Sequence, residues 1–510
     1  MHKIFFSKPI ATILVGFCAS LCLSLGAQAQ AQVQAQVQAQ VQVKTPTAKA
    51  TKDIFPPGIG LAFKQANIPL HAVSVLVTPV QASPQAPAPQ PRLSHRASAE
   101  MNPASVMKLI TTSAGLSLLG PDFTWRNRVF VDGPVKDGVL YGNLYLKGSG
   151  DPKLVVERLQ TLIDEVLQKG LREVRGDIIL DGSVFNLPAR NPASFDDEPL
   201  RPYNVAPQGL LLNFSAMLFK FTPDTVRGEA KIDFEPPLRN VQWPTSVPLS
   251  NSPCQDWRSQ LKADFSNADQ VRFAGAYPSA CGEQKWPVAY VQPHTFAPRM
   301  MQAMWLQAGG KLSGQVREGI LPSRVSLWHE APSLPLSEIV VDINKFSNNV
   351  MAQQLFLTLS SQQGAGNFEA SRQTVLQWWQ HHLKDQALPV LENGSGLSRE
   401  ERSSAQAIAA LLQLAAHSAY ASALQKSLAI AGVDGTVSRL KDRSPHSVAI
   451  GRAQLKSGSL RDVASLAGYA EGLSGQRYVF VVIVNHANAN AARPAMDKLL
   501  EWAVNDQKKS

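Results

Sequence analysis

Charge is scarce in this chain. Asp, Glu, Lys and Arg make up 17% of its 510 residues, against 44% hydrophobic residues. That balance excludes a charge-rich disordered protein and indicates packed domains, two or three at this length. Cysteine is scarcer still. There are four, and two of them, Cys18 and Cys22, lie near the N-terminus. No Cys-x-x-Cys pair or His-Glu-x-x-His run occurs. The ten histidines do not gather at ligand spacing, apart from the neighbours His381 and His382, which read as a helix surface. No metal and no other cofactor is therefore expected. A basic run interleaved with aromatics is also missing, so nucleic acid is not an expected partner.

The first 29 residues read as a secretory signal. Lys3 and Lys8 give a basic start, Ile10 to Leu25 an apolar core, and Ala27-Gln28-Ala29 a small-x-small cleavage site. The apolar stretch is short for a membrane span. Export to the periplasm follows from this reading. Removing the segment takes two lysines and no acid, so the formal charge falls from +10 to +8. A mildly basic surface suits a polyanionic neighbourhood such as the cell wall or a membrane surface. Residues 30–53 form a low-complexity tether, beginning with Gln alternating with Ala or Val. In an exported chain the remaining cysteines, Cys254 and Cys281, read as one disulfide, with two buried thiols as the alternative.

Beyond residue 54 the chain alternates between strand and helix patterns. Ile54 to Asn67 suits a short helix, Ala72 to Val77 a strand, and Gln81 to Arg92 a Pro-rich loop. From about Pro121 short strand-like runs appear at Asn127–Val131, Val139–Lys147 and Glu173–Leu180, with a helical stretch at Lys153–Gln168. Helical periodicity returns at Phe296–Ala308, Leu336–Leu359, Ala370–Leu383 and Ser404–Leu414. Three successive strands follow at Ala453–Ser459, Ser465–Glu471 and Arg477–Asn485, and Ala492–Val504 reads as a closing amphipathic helix. Strands at both ends with helices between predict an α/β sheet-and-helix domain, residues 54–120 and 289–510. A mostly β insertion of one or two small domains, residues 121–288, interrupts it.

One stretch organises the chemistry. Asn102-Pro103 suits a helix start, which puts Ser105 in the first turn and Lys108 three residues on, on the same face. A lysine kept neutral by partial burial can take the serine's proton, although Ser-x-x-Lys alone also fits a solvated lysine on a core helix. Downstream, Ser347-Asn348-Asn349 sits at the junction of two helical stretches. It reads as a polar turn, or as a hydroxyl and carboxamide that relay a proton and hold an amide. Lys456-Ser457-Gly458-Ser459 lies in a strand. It reads as a lysine guarding an edge, or as a cleft strand whose Ser457 hydroxyl binds a carboxylate and whose Gly458 lets a substrate approach.

The ordered set Ser-x-x-Lys, Ser-x-Asn and Lys-Ser-Gly resembles that of penicillin-binding proteins and class A β-lactamases. About 240 residues separate Ser105 from Ser347. That gap resembles the D-alanyl-D-alanine carboxypeptidase/endopeptidases of the penicillin-binding protein 4 type, serine peptidase family S13. Gly148-Ser149-Gly150-Asp151-Pro152, Asp181-Gly182-Ser183-Val184-Phe185, Gly394-Ser395-Gly396-Leu397-Ser398-Arg399, Gly432-Val433-Asp434-Gly435-Thr436 and Leu466-Ala467-Gly468-Tyr469 are similar to segments of that family. Asn393 and Ser457 depart from its usual Asp and Thr, and Asn348 from its common Asp.

The resemblance implies a β-lactamase/transpeptidase-like fold and an acyl-enzyme on Ser105. Lys108, Ser347, Asn349 and Lys456 would assist it, with backbone N–H groups of Ser105 and Ser459 stabilising the oxyanion. It also implies substrate contacts from Ser457, Gly458, Ser459, Arg399, Asp181 and Phe185. Peptidoglycan peptides would be the substrates and β-lactams covalent inhibitors. A β-lactamase, or a non-catalytic peptidoglycan-binding or β-lactam-sensing protein, is the alternative.

Overall fold

The strand Arg477–Asn485 is β-branched along most of its length and is buried on both faces from Tyr478 to Val484. Alternate residues of a strand point to opposite faces. Val479, Val481 and Ile483 meet one core, and Phe480, Val482 and Val484 another. The computed structural model describes residues 55–507. The signal and tether readings, residues 1–53, lie outside the described residues.

This strand sits inside a six-stranded sheet. The order is Leu93–His95, Val73–Pro79, Arg477–Asn485, Val463–Glu471, Ala453–Leu460 and Ala429–Ile430. Every pairing is antiparallel, with Val75 opposite Val482 and Lys456 opposite Ala467. One face is covered by helices Pro57–Gln65 and Arg493–Val504, through Ile59, Phe63, Met496 and Leu499. The other is covered by helices Lys108–Leu119 and Ala405–Ala416, through Leu109, Ile110, Ile408 and Leu411. Helix Ala405–Ala416 starts where Ser404 accepts the Ala407 N–H, the capping its sequence favours. Helices Leu336–Lys345 and Asn349–Ser361 stack beside the Lys108 helix, with Leu355, Ile339 and Ile343 in a further core.

Elements beyond residue 288 pack and pair with those between 121 and 288. Helix Pro293–Gln307 puts Phe296, Met300 and Trp305 into the same core as Leu146, Leu162 and Phe219. Strands Val316–Glu318 and Ser326–Pro332 pair with Ile178–Asp181 and Arg126–Val131. Sheet pairing thus carries the region to Pro332. The run expected at Val139–Lys147 is two strands, Val139–Leu140 and Leu144–Lys147, which belong to different sheets. The same core takes in the strands Ala216–Asp224 and Glu229–Glu235, an aromatic cluster around Phe221, and the disulfide-bonded Cys281, whose partner is Cys254. No helix among the described residues is long and apolar enough to cross a membrane.

Candidate active site

The nucleophile segment is held before its helix begins. Asn102 Oδ1 accepts the Ala104 N–H at 2.8 Å, and Asn102 Nδ2 donates to Ser398 O at 2.9 Å. Its backbone exchanges two hydrogen bonds with the Asn485 side chain, each 2.8 Å. Ala104 has φ +46°, a left-handed value that costs a non-glycine residue roughly 1–2 kcal/mol. The chain therefore does not enter the helix directly at Pro103. It makes a 3₁₀ turn over Ala104–Met107 and becomes α-helical at Lys108.

That turn sets the pair. Lys108 Nζ lies 2.9 Å from Ser105 Oγ, 2.6 Å from Asn349 Oδ1 and 2.5 Å from Ser395 O. Lys108 is fully buried, which leaves no room for the solvated reading. Burial pulls its ammonium down from 10.5 to about 7, against the opposing pull of Glu401.

Ser347 has φ +59° and separates two helices. Asn348 Oδ1 caps the second by accepting the Met351 N–H at 3.1 Å, so the turn is structural as well as chemical. Asn349 spends its carbonyl oxygen on Lys108, which leaves the N–H₂ end as the one suited to a substrate carbonyl.

Lys456 is also fully buried, so it is no edge guard. Its Nζ sits 2.9 Å from Ser347 Oγ and 2.6 Å from Ser457 O. Burial, then Lys108 and Arg493, push its pKa well below the usual lysine range. Ser457 Oγ donates to Thr436 Oγ1 at 2.7 Å. Gly458 also meets a packing need within the chain. A Cβ there would lie 2.2 Å from Ser465 Oγ and 2.6 Å from Pro103 O. The missing side chain admits the nucleophile segment, which Ser465 Oγ secures by donating to Pro103 O at 2.6 Å.

Two adjoining cavities open on Ser105. One of about 660 Å³ is lined by Ser105, Ser347, Thr436, Ser457, Ser459 and Arg493. The other, about 570 Å³, includes Ser105, Ser347, Asn349, Phe195, Asp196 and Arg399. Arg399 pairs with Asp462 at 3.0 Å, and its guanidinium lies 4.7 Å from the Phe195 ring centre. Asp181 and Phe185 line neither cavity. The Asp181 carboxylate is buried and accepts the Ser183 and Leu321 N–H groups at 2.8 and 2.9 Å. Phe185 is buried against Gly150, and its segment pairs with that of Gly366. Both fasten the inserted region, whose residues Phe195, Asp196, Glu198 and Tyr203 line the second cavity.

Sequence reading missed Glu401. This fully buried carboxylate accepts the backbone N–H groups of Glu392, Asn393 and Gly394 at 3.0–3.1 Å. Burial pushes its own pKa up, against those three N–H groups. It fixes the loop whose Ser395 carbonyl takes Lys108. Gly396 brings that loop to the nucleophile: its φ is +78°, and a Cβ there would lie 2.0 Å from Ala104 O. The only sequence signal was an acidic pair, Glu400-Glu401, following a glycine-rich turn. Among the described residues no cluster of three His, Cys, Asp or Glu is placed to hold a metal.

This geometry agrees with what the chain is similar to. Residues 64–506 match the model of the D-Ala-D-Ala carboxypeptidase 3 (S13) family. A D-alanyl-D-alanine carboxypeptidase of Actinomadura sp. (strain R39) is 27% identical over 433 residues, 79% of this chain and 78% of that protein. D-alanyl-D-alanine carboxypeptidase DacB of Haemophilus influenzae is 25% identical over 385 residues, 75% of this chain and 80% of that one. The crystal structure of penicillin binding protein 4 (dacB) from Haemophilus influenzae superposes with a TM-score of 0.69 at 22% identity, over 88% of this chain and 98% of that one, a likeness of fold. With a buried Ser–Lys pair at its centre and a family match over nearly all the described residues, the chain belongs to the S13 family of D-Ala-D-Ala carboxypeptidases, which are serine peptidases.

Proposed function

We propose that the chain is a penicillin-sensitive serine D-Ala-D-Ala carboxypeptidase and D,D-endopeptidase that acts on peptidoglycan stem peptides in the cell envelope. The observation that carries this is the fully buried Lys108 amine, 2.9 Å from Ser105 Oγ, with a pKa near 7. A general base works best when its pKa lies near the working pH.

Neutral Lys108 takes the Ser105 proton as Oγ bonds to the carbonyl carbon of the penultimate D-alanine. The backbone N–H groups of Ser105 and Ser459 receive the developing oxyanion; one lost donor of this kind costs about 2.7–4 kcal/mol. The C–N bond then breaks as the leaving amine takes the Ser347 hydroxyl proton; the proton that Lys108 carries is passed on to Ser347, beside Lys456, which leaves Lys108 a free amine again. Water attacks the acyl ester as Lys108 takes its proton, and Lys108 returns that proton to Ser105 Oγ as the ester bond breaks. Asn349 N–H₂ holds the acyl-side amide, and Ser457 contributes to binding the carboxylate of the departing residue. Arg399 at the mouth suits a carboxylate further along the stem. In a β-lactam the ring amide replaces the peptide bond, and its leaving nitrogen stays tethered, so the acyl-enzyme persists.

An N-terminal signal and a Cys254–Cys281 disulfide support an oxidising, extracytoplasmic location.

The test is a mass-spectrometric digest of pentapeptide stems and crosslinked dimers, with Ser105→Ala as the control. Stems losing one alanine report carboxypeptidase action, and dimers falling to monomers report endopeptidase action. If neither changes while penicillin still labels the wild type, the peptidase reading is wrong.

A further inference from the structure

The cavity at Ser105 continues past the catalytic hydroxyls to an arginine that the Ser–Lys machinery does not use. Arg493 opens the helix that covers the sheet, and it lines the same cavity as Ser105, Ser347, Ser457 and Ser459. Its Nη2 donates to Gly458 O at 2.9 Å and to Ser459 Oγ. A guanidinium has five N–H donors in a planar fork, so two such bonds leave donors for a ligand.

Its charge is not consumed by a neighbour. Asp497, one turn further along, is held by Arg443 through Nε at 2.6 Å and Nη2 at 3.0 Å, and its side chain is only 6% exposed. Arg439 and Arg443 line the same cavity, but Arg443 is spent on Asp497, and the Lys456 Nζ is buried against Ser347 Oγ and Ser457 O. The hydroxyls of Ser457, Thr436 and Ser459 line this side of the cavity without supplying charge. A guanidinium remains ionised at any working pH.

We infer that Arg493 is a substrate-binding residue that recognises the carboxylate of the departing D-amino acid, with the Ser457 and Ser459 hydroxyls as its neutral partners. This rests on the peptidase reading and adds to it the origin of selectivity for a free carboxylate beside the scissile amide. A terminal D-alanine carries such a group. So does the D-centre of a crosslinking diamino acid, so both proposed reactions would draw on the same arginine.

The test compares wild type, Arg493→Gln and Arg493→Lys on a peptide ending in D-Ala-D-Ala and on its C-terminal amide. A charge-assisted bond of this type corresponds to roughly a tenfold to hundredfold change. Arg493→Gln is expected to lower kcat/KM by that factor on the acid and to leave the amide nearly unchanged, with Arg493→Lys intermediate. Equal losses on both peptides would mean that Arg493 only braces Gly458 and Ser459, and would overturn the inference. Acylation of Ser105 by benzylpenicillin and by its methyl ester, followed by intact mass, separates this from the peptidase reading. An acid-to-ester rate ratio that falls in Arg493→Gln supports the carboxylate site even if no peptide is cleaved. An unchanged ratio removes it even if peptides are.

Discussion

Acidification is expected to silence Ser105 long before it unfolds the protein. Lys108 acts as a neutral amine, and its pKa is about 7. Acylation by penicillin, followed at the first turnover so that deacylation does not intrude, is therefore expected to fall about tenfold per pH unit below 7, and roughly a hundredfold by pH 5. The same shift leaves a mark on stability. Moving a buried lysine from 10.5 to about 7 corresponds to roughly 5 kcal/mol. Because the folded value is the lower one, the unfolded chain binds more protons between pH 7 and 10.5, and stability rises with pH across that window. Lys108→Met has no amine to titrate. The wild-type unfolding free energy is expected to gain on that variant by about 1.4 kcal/mol per unit above pH 7, and to run parallel to it below. Lys456, depressed in part by Lys108, contributes with the same sign. Urea unfolding of both proteins at pH 6, 7, 8 and 9 measures the difference. Parallel stabilities throughout, or an acylation rate that does not fall on the acid side, would refute a neutral buried base.

Glu401→Gln keeps an acceptor for the three backbone N–H groups but removes the charge that raises the Lys108 pKa; the acid limb of acylation is expected to move to lower pH, and a move upward or none would count against the assignment. Gly396→Ala puts a methyl group 2.0 Å from Ala104 O at φ +78°, for an expected loss of about 2–4 kcal/mol in urea unfolding together with slowed acylation; unchanged acylation would show that the loop does not position Lys108. Reducing Cys254–Cys281 opens a crosslink spanning 27 positions, worth about 3–4 kcal/mol in the loop-entropy account. Thermal unfolding is expected to shift down while the rate of penicillin labelling at 25 °C holds, and a matching fall in labelling would tie the disulfide-bearing region to the site.

Local pattern carried the catalytic half of the molecule a long way. A continuous, largely β-branched run marked the strand Arg477–Asn485, because a strand buried on both faces needs no alternation to stand out. Each Ser-Lys, Ser-Asn and Lys-Ser motif is a short-range signal, and order along the chain did the rest. What stayed hidden depends on distant partners. Val316–Glu318 and Lys311–Leu312 are short and largely exposed, with no periodicity to read; only their pairing with Ile178–Asp181 and Glu173–Val174 makes them strands. Phe185 and Asp181 matched a motif, but their partners near Gly366 and Leu321 lie far along the chain and could not be read from it. Glu401 and Arg493 were invisible because a buried acid and a cavity arginine look like ordinary surface charges in one dimension.

The close fit around Pro103 and Ser105 has a consequence for how the chain comes to life. The nucleophile is wedged between Gly396 and Gly458, and Ser465 and Asn485 tie its backbone. The first long strand, Val73–Pro79, finds its main partner at Arg477–Asn485, some 400 residues later. Contacts so far apart in sequence form late. A chain emerging from the ribosome thus carries Ser105 and Lys108 from the outset, yet it cannot seat them until almost its last strand has been made. Half-synthesised molecules would have the residues of the enzyme without its reactivity, and a chain that stopped before Arg477 would stay that way.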